Sequence, residues 1–281
     1  MGLRAVLRQL DVHDGRAFYR SVRSRPLKPV ARVFVWANTK VAHLLALPVD
    51  LVGRQLFALQ ALAGKQAPGA HGRRQRRAPD SFAIDAEREI TLLKRRDRHY
   101  ARGIQILLQA AAVTAWTTAE YCLEDVWVTC VSERPGHVPA EMISKVRIDA
   151  AALFSVGLDA RNRLGELLAS SGFSFDNPAS IKRAYDALFG TGSHPNLAVA
   201  IQQLHTLNEV RNLIVHRGGI VDKRFRERTH YRTRVGRPFL LSERSMVDYA
   251  NASTRACKAA ITFADQWLRA SRRHRGQRGA P

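Results

Sequence analysis

"IQILLQAAAVTAWTTAEYCLEDVWVTCVSE", residues 104–133, decides the fold class. It is rich in Ala and Leu, and the "ERPG" that follows stops it at Pro135 and Gly136, so it reads as one long helix. Trp116 and Trp127 lie on its apolar faces, and Trp267 lies on a similar face further on; all three read as core, not as base-stacking platforms. Working outward, residues 81–133 look helical almost throughout, and 139–170 supply another helix or two. "SGFSFDNP" (171–178) is a turn-rich break, 180–189 a short helix, and "GTGSHPN" (190–196) a loop. A helix over 197–216, a short hairpin around Gly236 in "RVGRPFLLS" (234–242) and a closing helix over 245–270 complete the pattern. There are no internal repeats, and the class is all-α.

Upstream, residues 1–63 read as short basic amphipathic helices, with Pro29 and Pro48 in first-turn positions and Gly64 as a stop. Between Arg16 and Lys40 stand Arg20, Arg23, Arg25, Lys28 and Arg32, with no acid among them. "GKQAPGAHGRRQRRAPDS" (64–81) has the composition of a flexible basic linker. A domain boundary is therefore expected there, with a helical domain over 82–270 and a basic disordered tail over 271–281. That boundary predicts trypsin cleavage at Arg73 to Arg77 and a folded fragment beginning near residue 81.

The chain has 281 residues, room for one large domain or two small ones, and its unusual feature is charge. Lys and Arg total 45 against 24 Asp and Glu, a net of +21 with pI near 11.1, which points to a polyanion: nucleic acid or an anionic membrane surface. No secretory signal opens the sequence. The most apolar stretch, 30–63, is interrupted by Arg32, Lys40, Asp50 and Arg54; it does not read as a span, and only peripheral membrane contact stays open. Cys122, Cys130 and Cys257 are odd in number and lack metal-ligand spacing, as buried thiols in a reducing, cytoplasmic compartment would. No Gly-rich phosphate loop, metal pair or nucleophile elbow is present, and no cofactor is expected.

Function is to be sought in "NEVRNLIVHRGG", residues 208–219. On a helical wheel Leu204, Leu207, Val210, Ile214 and Val215 fall on one apolar side, and His205, Asn208, Glu209, Asn212 and His216 on the other. Arg211 breaks the pattern by lying within the apolar arc, where an arginine must snorkel, pair, or face a second chain. His216 sits at the carboxyl end of the helix, and Gly218-Gly219 supply a left-handed cap. Taken alone, a histidine there is more often a cap than a catalyst.

"RNLIVH", Arg211 to His216, resembles the Arg-x-x-x-x-His motif of the HEPN superfamily of helical ribonucleases, with the polar Asn212 directly after the arginine. "EVRNLIVHRGGIVD", then "PFLLSERSMVDYANASTRACKAAITF", is similar to the RiboL-PSP and Apea-like subset, where a short excursion and a last helix follow the motif helix. "AAAVTAWTTAEYCLEDVW" resembles that subset's long early helix. The likeness covers roughly residues 90–268 and leaves 1–80 outside it.

The resemblance implies a HEPN-like bundle and a metal-independent endoribonuclease, dimeric through the motif helix, acting on RNA. Arg211, Asn212 and His216 would be catalytic. From the residues themselves, the cations Arg217, Lys223, Arg224, Arg226 and Arg228 after the motif read as an extension of a phosphate-binding surface or as a solvated face, and Glu120 and Glu124, one turn apart on the long helix, read with Asn208 as site neighbours or as a surface salt-bridge ladder. Attack by the 2′-hydroxyl would leave 2′,3′-cyclic phosphate ends. A toxin or defence effector with an antitoxin partner is one setting for this chemistry. The alternative is a non-catalytic helical RNA-binding or scaffold protein whose basic amino-terminal segment docks on a membrane surface or on nucleic acid.

Overall fold

The computed structural model of the chain describes residues 15–66, 79–144 and 163–277. In chain order the helices are α1 (Gly15–Ser21), α2 (Leu27–Gln66), α3 (Pro79–Arg96), α4 (Arg98–Glu133) and α5 (Ala140–Ser144). They continue with α6 (Leu164–Gly172), α7 (Pro178–Phe189), α8 (Pro195–Gln202), α9 (His205–Arg217), α10 (Lys223–Thr229) and α11 (Glu243–Gln277), and a 3-10 turn, Pro135–His137, follows α4. Among the described residues the one β feature is an isolated antiparallel bridge, Ile220 with Pro238, so the all-α class holds.

α4 is the hub. The Asp97 side chain starts it by accepting from the N–H groups of His99 and Tyr100, which splits the long helix expected over 81–133 into α3 and α4. α2, α3, α6, α7, α9 and α11 all pack on α4. Ala111, Ala112, Ala115 and Ala119 let neighbouring backbones approach, while the fully buried Trp116 and Trp127 fill the remaining space. Gly165 is the tightest approach: a Cβ there would stand 2.3 Å from the Val128 carbonyl oxygen. Two buried polar tips find main-chain partners, Trp127 Nε1 donating to the Ala184 carbonyl at 2.9 Å and Tyr185 Oη to that of Leu123 at 2.8 Å, while Trp116 Nε1 has no hydrogen-bond partner among the described residues. All three cysteines are buried and unbridged.

Among the described residues, the amino-terminal helix α2 belongs to this core, which overturns the expected domain boundary. α2 is one 40-residue helix carrying Pro48 inside it and running through Gly64, not the short helices anticipated. Its inner face, with Leu27, Ala31, Phe34, Val41 and Leu45, joins the same buried cluster as α4 and α11. Further along, Val49 and Val52 pack on Ala86 and Ile90 of α3. Polar pins reinforce the union. Asp265 of α11, itself buried, accepts from the backbone N–H groups of Arg23 and Ser24, and Thr254 Oγ1 donates to Asn38 Oδ1 at 3.0 Å. Of the expected linker, residues 67–78 lie outside the described residues. The carboxyl-terminal tail is also corrected: α11 extends through residues 271–277 to Gln277, and 278–281 lie outside the described residues.

His194 sits just before α8, its side chain almost wholly enclosed among Tyr185, Phe189 and Phe263. Its Nδ1 lies 2.9 Å from Ser193 Oγ, and Asp186 Oδ1 stands 3.3 Å from Nε2 without hydrogen-bond alignment. Burial lowers the imidazole pKa below its usual value, with Lys182 adding to the effect and Asp186 opposing it.

Each buried Leu or Phe contributes about 1.5–3 kcal/mol, and a domain's whole margin is about 5–15 kcal/mol. A fragment beginning near residue 81 strips the core of α2 and is therefore expected to aggregate or remain unfolded, measurable by circular dichroism. Asp265→Ala leaves the buried Ser24 N–H and the part-buried Arg23 N–H unpaired and should lower stability by about 1–3 kcal/mol in urea unfolding; a change under about 0.5 kcal/mol would show that the contact does not pin the helices. Because His194 titrates lower folded than unfolded, the unfolded chain holds the extra proton below about pH 6.5. Its contribution is complete above that pH and is lost as pH falls, so His194→Gln should flatten the decline in melting temperature between about pH 7 and 5.

Candidate functional site

α9 is positioned at both ends. At its start the chain turns at Gln203 and Leu204, so the single helix expected over 197–216 is two, α8 and α9. No Gly or Pro marks that break. At its end Gly218 adopts φ 58°, and the N–H groups of Gly218 and Gly219 both reach back to the Leu213 carbonyl, closing a left-handed cap. The paired glycines of the motif are there to stop the helix one residue past His216.

After the cap, residues 219–221 pair with the returning 236–239. Val221 N–H donates to the Arg237 carbonyl at 2.9 Å and Phe239 N–H to the Gly219 carbonyl at 2.7 Å. The side chain of Gln105 on α4 grips both backbone groups of Leu241, at 3.0 and 2.9 Å. α10, the loop's short helix, is capped by Asp222 and anchored through Phe225, whose ring packs against Tyr231 and Phe239. The anticipated hairpin around Gly236 is thus a loop clipped to the bundle, with a helix inside it that went unanticipated.

α9, α10 and the segment before α7 enclose a cavity of about 910 Å³. Of the residues singled out in the sequence, it collects Arg211, Asn212, His216, Asn208, Arg217, Arg224 and Arg228. His205, Glu209, Asp176 and Asp222 also line it, none of them foreseen as site residues. Lys223 and Arg226 are exposed on α10 and do not line it; Lys223 stands 3.8 Å from Glu227.

Arg211 is half-buried, and Nη1 donates to Asn212 Oδ1 at 2.9 Å. Asn212 in turn reaches toward Asn208 Oδ1 at 3.5 Å. Arg211 Nε is buried with no hydrogen-bond partner among the described residues, leaving a charged donor unsatisfied. Glu120 of α4 faces this arginine. Burial pushes its carboxyl pKa up, and Arg211, with the Trp116 indole, draws it back down. Glu124, a turn further, is also pushed up by burial and by Asp125 and Glu120, but neither acid lines the cavity.

Two expectations need correction here. The face that the wheel marked as polar is not uniformly exposed, because Asn208 and Glu209 are both buried. Glu209 is tolerated there because Arg228 Nη1 meets it at 2.8 Å from α10, nineteen residues away in sequence. Arg228 is therefore the anchor of a buried carboxylate, not a free phosphate ligand. Arg217 stands 3.5 Å from Asp222, an exposed pair that contributes little. The arrangement suits an anion seated on Arg211, with the exposed His216 lining the same cavity five residues on.

Compared with known proteins, the chain matches no family model, no curated protein and no solved structure.

The Glu209–Arg228 pair separates structural from binding arginines. Arg228→Ala should lower stability by about 2 kcal/mol, less than the usual loss for a fully buried pair because Arg228 is half-exposed. Arg224→Ala should cost under about 0.5 kcal/mol. Adding Glu209→Gln to Arg228→Ala should recover most of the loss, a coupling that urea melts of the four proteins would measure.

Proposed function

We propose that the protein is a HEPN-type, metal-independent endoribonuclease. The observation that carries this reading is the cavity in which Arg211, with its buried and unpartnered Nε, lies beside Asn212, with His216 five residues on along the same helix. A buried cationic donor without a partner is unfavourable unless an anion completes it, and a backbone phosphate presents the oxygens a guanidinium fork accepts.

RNA carries its own nucleophile. In the proposed reaction the 2′-hydroxyl oxygen attacks phosphorus, the bond to the 5′-oxygen breaks, and the products are a 2′,3′-cyclic phosphate and a 5′-hydroxyl. One proton must leave the 2′-hydroxyl and one must reach the 5′-oxygen; His216 serves one of these transfers. Two copies of α9 meeting across a two-fold axis would provide a second His216 for the other. Arg211 stabilises charge gathering on the phosphorane, and Asn212 holds the guanidinium in place through the 2.9 Å bond.

The surplus of cations, +21 overall, draws RNA in by counterion release, so binding should weaken steeply with salt. The alternative of a non-catalytic RNA-binding protein shares that salt dependence and is separated from the enzyme by product chemistry alone.

His216→Ala and Arg211→Ala should each reduce RNA cleavage by about 10²–10⁴-fold with melting temperature nearly unchanged, His216→Ala still binding RNA. Asn212→Ala should reduce the rate less. Wild-type cleavage should persist in EDTA and leave cyclic-phosphate ends, identified by mass spectrometry. Binding without cleavage by wild type would select the non-catalytic alternative. If His216→Ala instead melts several degrees lower and wild type neither binds nor cuts RNA, the motif is only a helix end.

A further inference from the structure

The inner face of α2 is spent on the core, but its outer face is not ordinary surface. Val33 is 55% exposed, Trp36 61%, Leu47 40% and Leu51 54%. At 100° per residue these four fall within about 60° of arc and extend about 27 Å along the helix, opposite the buried Leu27, Phe34 and Leu45. Lys40 and Arg54 lie in the same stripe, and Lys40 Nζ rests 3.3 Å above the Trp36 ring centroid. The surrounding charge is almost wholly positive. Residues 15–56 carry Arg16, Arg20, Arg23, Arg25, Lys28, Arg32, Lys40 and Arg54 against Asp50 alone.

We propose that this outer face of α2 seats the protein on an anionic lipid bilayer, with α2 lying flat in the headgroup region. Three occupants compete for such a surface, and charge and chemistry separate them. RNA would satisfy the arginines and stack on Trp36, yet it would leave Val33, Leu47 and Leu51 in water. A second copy packed through the same stripe would set Lys40 beside its own copy and Arg54 toward the partner's Arg32, with cations on both sides, a like-charge contact. An anionic bilayer accepts both halves of the pattern: acyl chains take the aliphatic side chains, phosphates take the cations, and the indole sits at the boundary.

The structure also fixes the mode of contact. Among the described residues no helix is long and apolar enough to cross a membrane. Since Leu27, Ala31, Phe34, Val41 and Leu45 are held in the core, α2 docks without leaving the bundle. The face does not depend on the ribonuclease reading, as none of its residues lines the α9 cavity.

The test uses the full chain, treated with nuclease to remove adhering nucleic acid, in flotation with phosphatidylcholine vesicles with and without phosphatidylserine. Of the four tryptophans, Trp116 and Trp127 are fully buried and Trp267 is packed against Arg134 and Phe189, so emission changes report chiefly on Trp36. Binding should require phosphatidylserine, shift Trp emission to the blue, and fall about tenfold in Leu47→Ser/Leu51→Ser at unchanged melting temperature. RNA binding and cleavage by that variant should be as in wild type. Failure to bind phosphatidylserine vesicles overturns the proposal, and so does binding that the double substitution leaves unchanged. A double variant that alters RNA affinity, or that dissociates a dimer, without affecting flotation gives the surface to RNA or to a second copy and equally overturns it.

Discussion

A helix surrounded on its long sides by other helices must present small residues where backbones cross and large ones where they diverge, and α4 does both. Ala111, Ala112, Ala115 and Ala119 give the closest approach, and Trp116 and Trp127 occupy the volume between crossings. Everything else depends on that compromise. Trp127 has a polar tip, which the Ala184 carbonyl satisfies. Ser253 of α11 bonds the Ala115 carbonyl at 2.8 Å, and Gly165 permits α6 to lie almost on the α4 backbone. A bulky replacement at any alanine crossing would push apart helices whose side-chain hydrogen bonds operate only at the present spacing.

The candidate site inherits its geometry from this hub. α9 lies on α4, and α4 places Glu120 opposite Arg211 while Gln105 holds the loop that returns after α10. The cavity is therefore not a gap between mobile loops. One side is the segment leading into α7, its floor is α9, and its outer wall is α10, pinned inward by Phe225 and by Arg228 on Glu209. A site built on helices in this way can hold Arg211 and His216 at fixed separation, which a phosphate-directed reaction requires.

The sequence disclosed the helices better than their partners. The Ala-rich run and the Gly218-Gly219 stop act over a few residues, and such local signals survive without knowledge of the fold, whereas the Asp97 cap that divides α3 from α4 was passed over. What α2 packs on was invisible. Its apolar face was plain in the periodicity, but a periodic face does not say which helix covers it, and the Arg-rich stretch after it suggested separation. Asp265 contacts residues more than two hundred positions away, and Glu209 meets Arg228 nineteen away, so neither pair leaves a local trace. The wheel failed at Asn208 and Glu209 for the same reason: it sorts side chains by polarity, whereas burial follows from what a distant segment brings to them. The core of the motif was legible because Arg211, Asn212 and His216 share one helix.

Charge is distributed unevenly in this molecule. The cavity lining holds four arginines, Arg211, Arg217, Arg224 and Arg228, against three carboxylates, Asp176, Glu209 and Asp222, a net of one positive charge with histidines neutral. Two of those arginines are already engaged, Arg228 by Glu209 and Arg217 by Asp222. So modest a local surplus is a poor trap for a polyanion, and most of the +21 lies elsewhere on the chain. The long-range field of that surplus can gather and orient an anionic partner, but it falls away within about 8–10 Å at physiological salt and carries no geometric information. In the proposed reaction, selection of one phosphate would come from the short-range groups, above all the unpartnered Arg211 Nε and the Asn212 bond that holds the guanidinium. The internal ion pairs help that discrimination: by neutralising two cations at the walls they leave Arg211 as the half-buried cation with donor capacity to spare, so an anion that enters has one best place to sit.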